Sequence, residues 1–268
     1  MHALILAAGE GTRLRPLTNA IPKCMVSLAG RPLLTWQLNS LHQAGITDIS
    51  IVTGYRREVI EKTYPRLQFF HNSDYATTNM VYSMICAEPL LTSGQDILIA
   101  YSDIIYEPKV IQALLDHNAQ TDIVIASNSR WRELWQARME NPLSDAESFQ
   151  VDDSGLVIEL GKKTRDISSV QGQYMGLFLI KASEATQIPD LYAALKDNDT
   201  LEGRSKKQAF MTAWLQYRID SGVVAKALPI DGGWLEIDTT EDLVQYEKWF
   251  GDDSLKNFCD LSTLMEKH

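Results

Sequence analysis

Apolar strand-like runs alternate with segments of helical periodicity from the first residues of the chain onward. Strands are predicted at residues 2–7, 48–55, 67–72, 96–103 and 122–127. Helices are predicted at residues 33–44, 57–64, 79–91 and 108–118. This alternation is typical of a parallel sheet covered by helices. The sequence therefore predicts an α/β fold with a mostly parallel central sheet flanked by helices.

The pattern changes after about residue 128, where the runs become shorter. Residues 148–163 predict a β-hairpin that turns at Asp152–Gly155. Further elements are predicted as strands at 173–180 and 223–230 and as helices at 204–221 and 239–250. We interpret this half as a small β-rich insertion that carries substrate groups and is attached to the same sheet.

The length of 268 residues favours one large domain. We predict a single domain over 1–268, with a nucleotide-binding half (1–128), an acceptor-binding half (129–250) and a C-terminal extension (251–268).

Composition excludes several classes of function. No run of eighteen apolar residues predicts a membrane span, and residues 1–8 lack the basic start of a signal peptide, so we expect a cytoplasmic protein. A net charge of -10 argues against extended nucleic-acid binding. Cys24, Cys86 and Cys259 show no CxxC spacing, which argues against a disulfide framework or a zinc site.

A glycine-rich loop follows the first strand, in the segment ALILAAGEGTRLRPLTNAIPK. Gly9 and Gly11 could begin a dinucleotide-binding fingerprint, but Leu14 stands where its third glycine would lie. Pro16 and Pro22 make the following stretch extended rather than helical, and no Walker A pattern is present. The loop instead suits a triphosphate held by backbone N–H groups and basic side chains.

The string LAAGEGTRLRPLTNAIPK resembles the signature of nucleotidyltransferases that act on sugar phosphates and related phosphate esters. The resemblance implies a Rossmann-like sheet of the glycosyltransferase-A-like type, a Mg²⁺ ion, and condensation of a nucleoside triphosphate with a phosphate-bearing acceptor, releasing pyrophosphate. It also implies that Arg13 faces the leaving pyrophosphate and that Lys23 contacts the reacting phosphates. The residues expected to line the phosphates are Gly9, Gly11 and Thr12, and Ala8 is expected to contact the nucleotide.

Two aspartates are candidates for the metal site. Asp103 ends a predicted strand at the carboxyl edge of the sheet, where ligands of open α/β sheets bind. Asp238 lies in GGWLEIDTTEDL, which resembles the second metal-carboxylate segment of the family, and Glu236 alternates with it. Asp103 could instead cap a turn, and Asp238 could cap the last helix. The mechanism requires no histidine base, because the attacking phosphate oxygen is already anionic.

The segment FHNSDYATTNMVYSM lacks the glutamine and glycine with which sugar nucleotidyltransferases read the base. It resembles the NxxYxxxNxxxS arrangement of bacterial phosphocholine cytidylyltransferases of the LicC type, which implies CTP as the nucleotide. The matching residues are Asn72, Tyr75, Asn79 and Ser83. Asn79 alternatively serves only as a helix cap.

The residues that bind the acceptor are expected between positions 129 and 176 and near the last strand. Aromatic faces hold quaternary ammonium groups, and Trp135 lies where the resemblance implies a choline-facing tryptophan. The segment ELGKK resembles the acceptor-phosphate segment of sugar-phosphate enzymes. The acceptor candidates are Trp131, Trp135, Lys162, Lys163, Tyr174 and Trp234. For the tryptophans, the alternative is packing against the sheet.

Taken together, these features predict a Mg²⁺-dependent cytidylyltransferase. Its partners would be CTP and a small phosphate or phosphonate, with phosphocholine, 2-aminoethylphosphonate and a phosphorylated amino acid or amide all open. Two alternatives are a sugar-1-phosphate nucleotidyltransferase using UTP or dTTP, which ELGKK favours, and a non-catalytic nucleotide-binding regulatory subunit. The oligomeric state, including a homo-oligomer, is left open.

Overall fold

A computed structural model describes residues 1–117, 120–196 and 199–265. The strands are β1 (His2–Ala7), β2 (Ser27–Leu28), β3 (Arg31–Pro32), β4 (Ile49–Thr53), β5 (Gln68–His71), β6 (Ile97–Tyr101), β7 (Ile104–Tyr106), β8 (Ile123–Asn128), β9 (Glu147–Val151), β10 (Val157–Lys163), β11 (Gln173–Ile180), β12 (Thr200–Leu201), β13 (Arg204–Ser205), β14 (Ala225–Ile230) and β15 (Trp234–Glu236).

The α-helices are α1 (Leu33–Gln43), α2 (Arg57–Thr63), α3 (Met80–Ile85), α4 (Glu88–Leu91), α5 (Pro108–Asp116), α6 (Trp131–Arg138), α7 (Ala182–Ala185), α8 (Ile188–Ala194), α9 (Met211–Asp220) and α10 (Thr240–Gly251). Short 3-10 turns lie between them, including three in the glycine loop and the segment after it.

Seven strands form the central sheet in the order β14-β8-β11-β6-β1-β4-β5. Parallel pairing joins β1 to β4 and to β6, β4 to β5, and β14 to β8. Only β11 runs antiparallel within this sheet, between β6 and β8. The predicted mostly parallel α/β fold is therefore confirmed. Because β11 is reversed, its first residues lie at the edge where the parallel strands end.

Side chains of successive strand residues enter the two layers that cover the sheet. In β1, Ala3 and Ile5 belong to one buried cluster and Leu4 and Leu6 to the other. Strands buried on both faces read as continuous apolar runs, as β1 does. The carboxyl ends of the parallel strands are left to form a site.

Several predicted boundaries differ from the structure. The helix predicted over 204–221 begins only at Met211, because Glu202 and Gly203 adopt positive φ angles and residues 204–205 pair with β12. The helix predicted over 79–91 is divided into α3 and α4. Pro89 is the second residue of α4 and lies in its first turn, where a missing N–H breaks no helical hydrogen bond. The predicted helix over 108–118 ends at Asp116, and residue 118 lies outside the described residues.

The predicted hairpin forms, and its turn is as expected. Gly155 has a φ of 77°, and Asp152 Oδ1 accepts a hydrogen bond from the N–H of Ser154. However, β9 and β10 make a sheet of their own rather than extending the central one. The hairpin packs on α9, where Leu160 N–H donates to Gln216 Oε1 over 2.8 Å.

Strands from both predicted halves join the central sheet, since β11 and β14 lie beside β6 and β8. The segment after residue 251 packs on the core through Leu255, Cys259 and Leu261, while residues 266–268 of the predicted extension lie outside the described residues. The single-domain division stays a prediction. None of the helices that the described residues form is long and apolar enough to cross a membrane.

Candidate active site

The glycine loop leaves the carboxyl end of β1 and returns through Lys23. Gly11 has a φ of 63°, and a Cβ placed on it would lie 2.8 Å from Lys23 Cβ. A side chain at this position would therefore both strain the backbone and displace the lysine. Thr18 fixes the loop, because its hydroxyl donates a 2.9 Å hydrogen bond to the Gly11 carbonyl.

Lys23 connects the loop to the two predicted metal aspartates. Its ammonium donates to Asp103 Oδ2 over 2.6 Å and to Asp238 Oδ1 over 2.7 Å. Arg13 donates to the same Asp238 oxygen over 2.9 Å. Burial opposes the charged form of Lys23, but the two carboxylates outweigh it and raise its pKa. The lysine therefore stays protonated at any physiological pH.

Asp103, Glu236 and Asp238 each offer one carboxylate oxygen within a group whose atoms lie within 4.8 Å of one another. Burial, together with the charges of Asp238 and Asp103, raises the pKa of Glu236 well above its ordinary value. Asp103 Oδ1 is buried without a hydrogen-bond partner among the described residues. Three converging carboxylates with an unsatisfied oxygen fit a hard divalent cation.

A short strand pair brings these carboxylates together. β15 pairs antiparallel with β7, and the N–H of Ile237 donates to the Asp103 carbonyl over 2.9 Å. The N-cap of α10 is Thr239, in a capping box with Asp242, so Asp238 is not the cap. The Asp238 carboxylate is therefore available to the site.

Asp242 and Arg138 fix the backbone beside the cluster. Asp242 Oδ2 accepts from the N–H of Asp238 over 3.0 Å, and Arg138 donates to Asp242 Oδ1 over 2.9 Å. Their side chains are 7% and 2% exposed, so water screens this ion pair little. Sequence reasoning missed this support, and the TTED capping pattern was its only local signal.

A cavity of about 320 Å³ lies over the loop and the carboxylates. It is lined by Leu6, Gly9, Gly11, Thr12, Arg13, Lys23, Met80, Tyr101, Ser102, Asp103, Glu236 and Asp238. The structure thus gathers the predicted phosphate-binding and metal-binding residues around one space. We call it the nucleotide cavity.

The predicted base-reading residues lie beside this cavity. Tyr75, Asn79 and Ser83 line a small pocket of about 80 Å³, together with Ala8 from the start of the glycine loop. Asn72 supports the pocket from behind, because its side-chain amide donates to Ser83 Oγ over 3.0 Å and is 1% exposed.

Asn79 also acts as a helix cap, which is the alternative role that the sequence left open. It is the N-cap of α3, and its side chain accepts from the N–H of Met80 over 2.8 Å. Asn79 therefore both ends the loop and faces the pocket.

A second cavity, of about 260 Å³, adjoins the nucleotide cavity and shares Arg13, Met80, Tyr101, Glu236 and Asp238 with it. Its other lining residues are Asp145, Glu147, Gln173, Tyr174, Gly176, Phe210, Met211 and Thr212. Of these, only Tyr174 was predicted from the sequence. We call this space the acceptor cavity.

The predicted tryptophans line neither cavity. Trp131, Trp135 and Trp234 are at most 3% exposed, and the Trp135 and Trp234 rings stack at 6.0 Å with an angle of 3°. The Arg138 guanidinium lies 4.7 Å from the centre of the Trp135 ring. No aromatic face of these residues is open to an acceptor, so their placement supports packing rather than the predicted contact with choline.

The two predicted lysines lie on the hairpin, away from the reacting cluster. Lys162 makes an exposed ion pair with Glu159 over 2.6 Å. Lys163 lines an outer cleft of about 810 Å³ that shares Asp145 and Glu147 with the acceptor cavity. This placement does not support binding of the acceptor's phosphate next to Lys23.

Comparison with known proteins agrees with this geometry. Residues 3–202 match the family model of the MobA-like NTP transferase domain. The chain is 38% identical over 256 residues to the CTP:phosphoglutamine cytidylyltransferase of Campylobacter jejuni, covering 92% of this chain and 100% of the relative. It is 28% identical to the 2-aminoethylphosphonate cytidylyltransferase of Lancefieldella rimae, covering 64% of this chain and 65% of that protein.

Solved structures show the same fold. The CTP:phosphocholine cytidylyltransferase LicC of Streptococcus pneumoniae matches with a TM-score of 0.67 and 21% identity, covering 93% of this chain and 98% of that chain. The inositol-1-phosphate CTP transferase of T. maritima matches with a TM-score of 0.71 and 18% identity, covering 97% of each chain. The loop, the sheet and the family match agree, and the chain belongs to the family of MobA-like NTP transferase domains, as a nucleotidyltransferase near the LicC-type cytidylyltransferases.

Proposed function

We propose that the protein is a Mg²⁺-dependent cytoplasmic cytidylyltransferase that condenses CTP with a small, nitrogen-bearing phosphate or phosphonate and releases pyrophosphate. One observation carries the proposal: the nucleotide cavity and an acid-lined acceptor cavity meet at Arg13, Glu236 and Asp238. Two bound substrates would therefore have their phosphates side by side at the loop.

The reaction needs little covalent chemistry from the protein. An anionic oxygen of the acceptor attacks the α-phosphorus of CTP, the new O–P bond forms, and the bond to the β-phosphate oxygen breaks as pyrophosphate leaves. Lys23 and Arg13 supply positive charge where negative charge is concentrated on the phosphates. The glycine loop holds the triphosphate so that attack occurs in line.

Asp103, Glu236 and Asp238 would hold the Mg²⁺ ion, which supplies further neutralisation of phosphate charge when bound. The unpartnered Asp103 Oδ1 and the raised pKa of Glu236 support this role, because a cation would relieve both. With both bound, Asp103 and Asp238 would contact the ion as well as Lys23, and Lys23 would contact the phosphates as well as the two aspartates.

For the acceptor, a phosphorylated amino acid amide is our first candidate. The relative that is covered over its whole length is named for phosphoglutamine, and another is named for 2-aminoethylphosphonate. The acidic residues Asp145 and Glu147 in the acceptor cavity favour a cationic nitrogen over a neutral sugar. A sugar-1-phosphate enzyme using UTP or dTTP is correspondingly disfavoured.

The test is a matrix of nucleotides against acceptors. The purified protein is incubated with CTP, UTP or dTTP, MgCl₂ and one of phosphoglutamine, 2-aminoethylphosphonate, phosphoethanolamine, phosphocholine or glucose-1-phosphate. We expect pyrophosphate release and a cytidylylated product by mass spectrometry, with CTP and a nitrogen-bearing acceptor giving the highest kcat/KM. Preference for UTP or dTTP with the sugar phosphate would overturn the proposal, and absence of any turnover would favour the regulatory alternative.

Asp103→Asn tests the metal site separately. It should lower kcat by about 100-fold or more. We also expect Mg²⁺ with CTP to raise the Tm of the wild-type protein and Asp103→Asn to remove that increase, which is a readout independent of turnover. Asp153→Asn, in the exposed hairpin turn, is the control and should keep both properties.

A further inference from the structure

The acceptor cavity contains a polar group for which the protein supplies no partner. Gln173 is 8% exposed, it lines the cavity, and its Oε1 has no hydrogen-bond partner among the described residues. A buried amide oxygen without a partner is costly, so such groups are expected to be satisfied by a ligand or water. Because an amide oxygen accepts hydrogen bonds, its partner must carry an N–H or O–H group.

The fold explains why Gln173 lies at this cavity. It is the first residue of β11, the strand that runs antiparallel between β6 and β8, and it pairs with Asn128 at the end of β8. The start of β11 therefore lies at the edge where the parallel strands end, next to the reacting cluster.

Two carboxylates line the same cavity. Glu147 opens β9, and Asp145 lies two residues before it. Among the described residues that line this cavity, Arg13 is the only basic side chain, and it is bonded to Asp238 at the end shared with the nucleotide cavity. Lys163 and Arg165 line the outer cleft that shares these two carboxylates. Within the acceptor cavity, however, the charges that its described lining residues place at the distal end are negative and favour a cation.

The order of the cavities indicates which end of the acceptor lies there. Glu236 and Asp238 line the nucleotide and acceptor cavities, whereas Asp145 and Glu147 line the acceptor cavity and the outer cleft. An acceptor with its phosphate at Arg13 would therefore extend its other end toward the hairpin.

We infer that Glu147, Asp145 and Gln173 form a subsite for an ammonium group of the acceptor that carries N–H bonds. The inference rests on the proposed function and defines its substrate class: primary amines are selected over quaternary ones. A primary ammonium gives hydrogen bonds to both the carboxylates and Gln173 Oε1, whereas a trimethylammonium leaves Gln173 Oε1 buried and unpaired.

The aromatic lining does not reverse this choice. Tyr101, Tyr174 and Phe210 line the cavity. The two tyrosine rings pack against each other edge to face, with centroids 5.7 Å apart, and the Arg204 guanidinium lies 4.2 Å from the centre of the Phe210 ring. Tyr101 also covers Gly176, where a Cβ would lie 2.7 Å from its ring. These contacts form a wall of the cavity rather than a cage of separate ring faces of the kind that holds a quaternary ammonium.

The experiment compares acceptors that differ only in three methyl groups. Phosphoethanolamine is tested against phosphocholine, and 2-aminoethylphosphonate against its N,N,N-trimethyl form, each with CTP. We expect kcat/KM to be about 10-fold or more higher for each primary amine. Glu147→Gln and Gln173→Leu should reduce this ratio toward one and raise the acceptor KM, with the KM for CTP unchanged. Asp153→Asn should leave the ratio as in the wild type.

The outcomes separate the two proposals. Turnover of the quaternary acceptors at equal or higher kcat/KM would overturn the ammonium subsite while leaving the cytidylyltransferase intact. An unchanged ratio in both subsite variants would do the same. Turnover of a sugar phosphate with no nitrogen-bearing acceptor accepted would overturn both.

Discussion

The Lys23 ammonium lies 2.6 Å from Asp103 Oδ2, so the segment after the glycine loop is joined directly to the turn after β6, eighty positions later. Lys23 also bonds to Asp238, and its side chain is 12% exposed. The lysine therefore neutralises part of a carboxylate cluster that would otherwise repel itself. The same charge is available to the phosphates of a bound nucleotide.

Lys23→Met should therefore affect both turnover and stability. We expect kcat to fall by about 100-fold or more, because one preorganised positive donor to the reacting phosphates is lost. The variant should also unfold at a lower temperature at pH 8 than the wild type, since three carboxylates lose a neighbouring cation. Steady-state kinetics and thermal unfolding measure the two effects. Near-normal kcat would remove Lys23 from the reacting site.

Asn72→Ala should weaken reading of the base. Asn72 holds Ser83 through a 3.0 Å hydrogen bond and accepts from the N–H of Asp74, so it joins α3 to the loop before it. Loss of these bonds should raise the KM for CTP by about 10-fold and lower the CTP to UTP preference. The KM for the acceptor should stay unchanged.

Ser73→Ala is the matched control for this variant. Ser73 is the exposed neighbour of Asn72, and the hydrogen bond of its side chain within the described part of the chain is a long one, 3.4 Å to Asp74. It should retain the wild-type KM for CTP. Equal increases of the CTP and acceptor KM values in Asn72→Ala would indicate general loosening instead of base recognition.

The nucleotide cavity and the acceptor cavity differ in how many of their residues the sequence predicts. Gly11, Lys23 and Asp103 follow the ends of strands that alternate clearly with helices, so their position at one edge could be inferred. Gln173 and Glu147 reach the site only through tertiary structure: the reversed direction of β11 and the docking of the hairpin on α9. Neither relation leaves a local sequence signal.

The tryptophans illustrate a second limit. The apolar stripe of α6 is equally suited to packing and to ligand binding, because periodicity does not say what covers a helix face. In the structure the stripe meets Trp234 and the core.

Trp135 should accordingly behave as a core residue. Trp135→Ala should lower the free energy of unfolding by about 3–5 kcal/mol, measured by urea denaturation. The milder Trp135→Phe should fold and keep the acceptor KM within about twofold of the wild type. An acceptor KM raised by 10-fold or more in Trp135→Phe, with stability unchanged, would restore the predicted role in acceptor binding.

Acceptor binding should depend on pH through Glu147. Burial, with the negative charges of Asp145 and Glu202, raises the pKa of this carboxyl to about 7, and Lys163 opposes the shift. The group is therefore neutral below this pH and charged above it. A cationic acceptor should bind better to the charged form, so kcat/KM for a primary amine should rise between pH 6 and pH 8.

The ratio of wild type to Glu147→Gln isolates this effect, because ionisation of the acceptor itself is common to both proteins. We expect the ratio to increase across this range with a midpoint near pH 7 and to be flat for CTP. Stability gives an independent check. Since the folded protein binds this proton more tightly than the unfolded chain, with its ordinary pKa of 4.5, Glu147 should reduce stability as pH rises from 4.5 to 7. Glu147→Gln should abolish that part of the decline in Tm, and an identical pH dependence in both proteins would show that Glu147 does not titrate in the cavity.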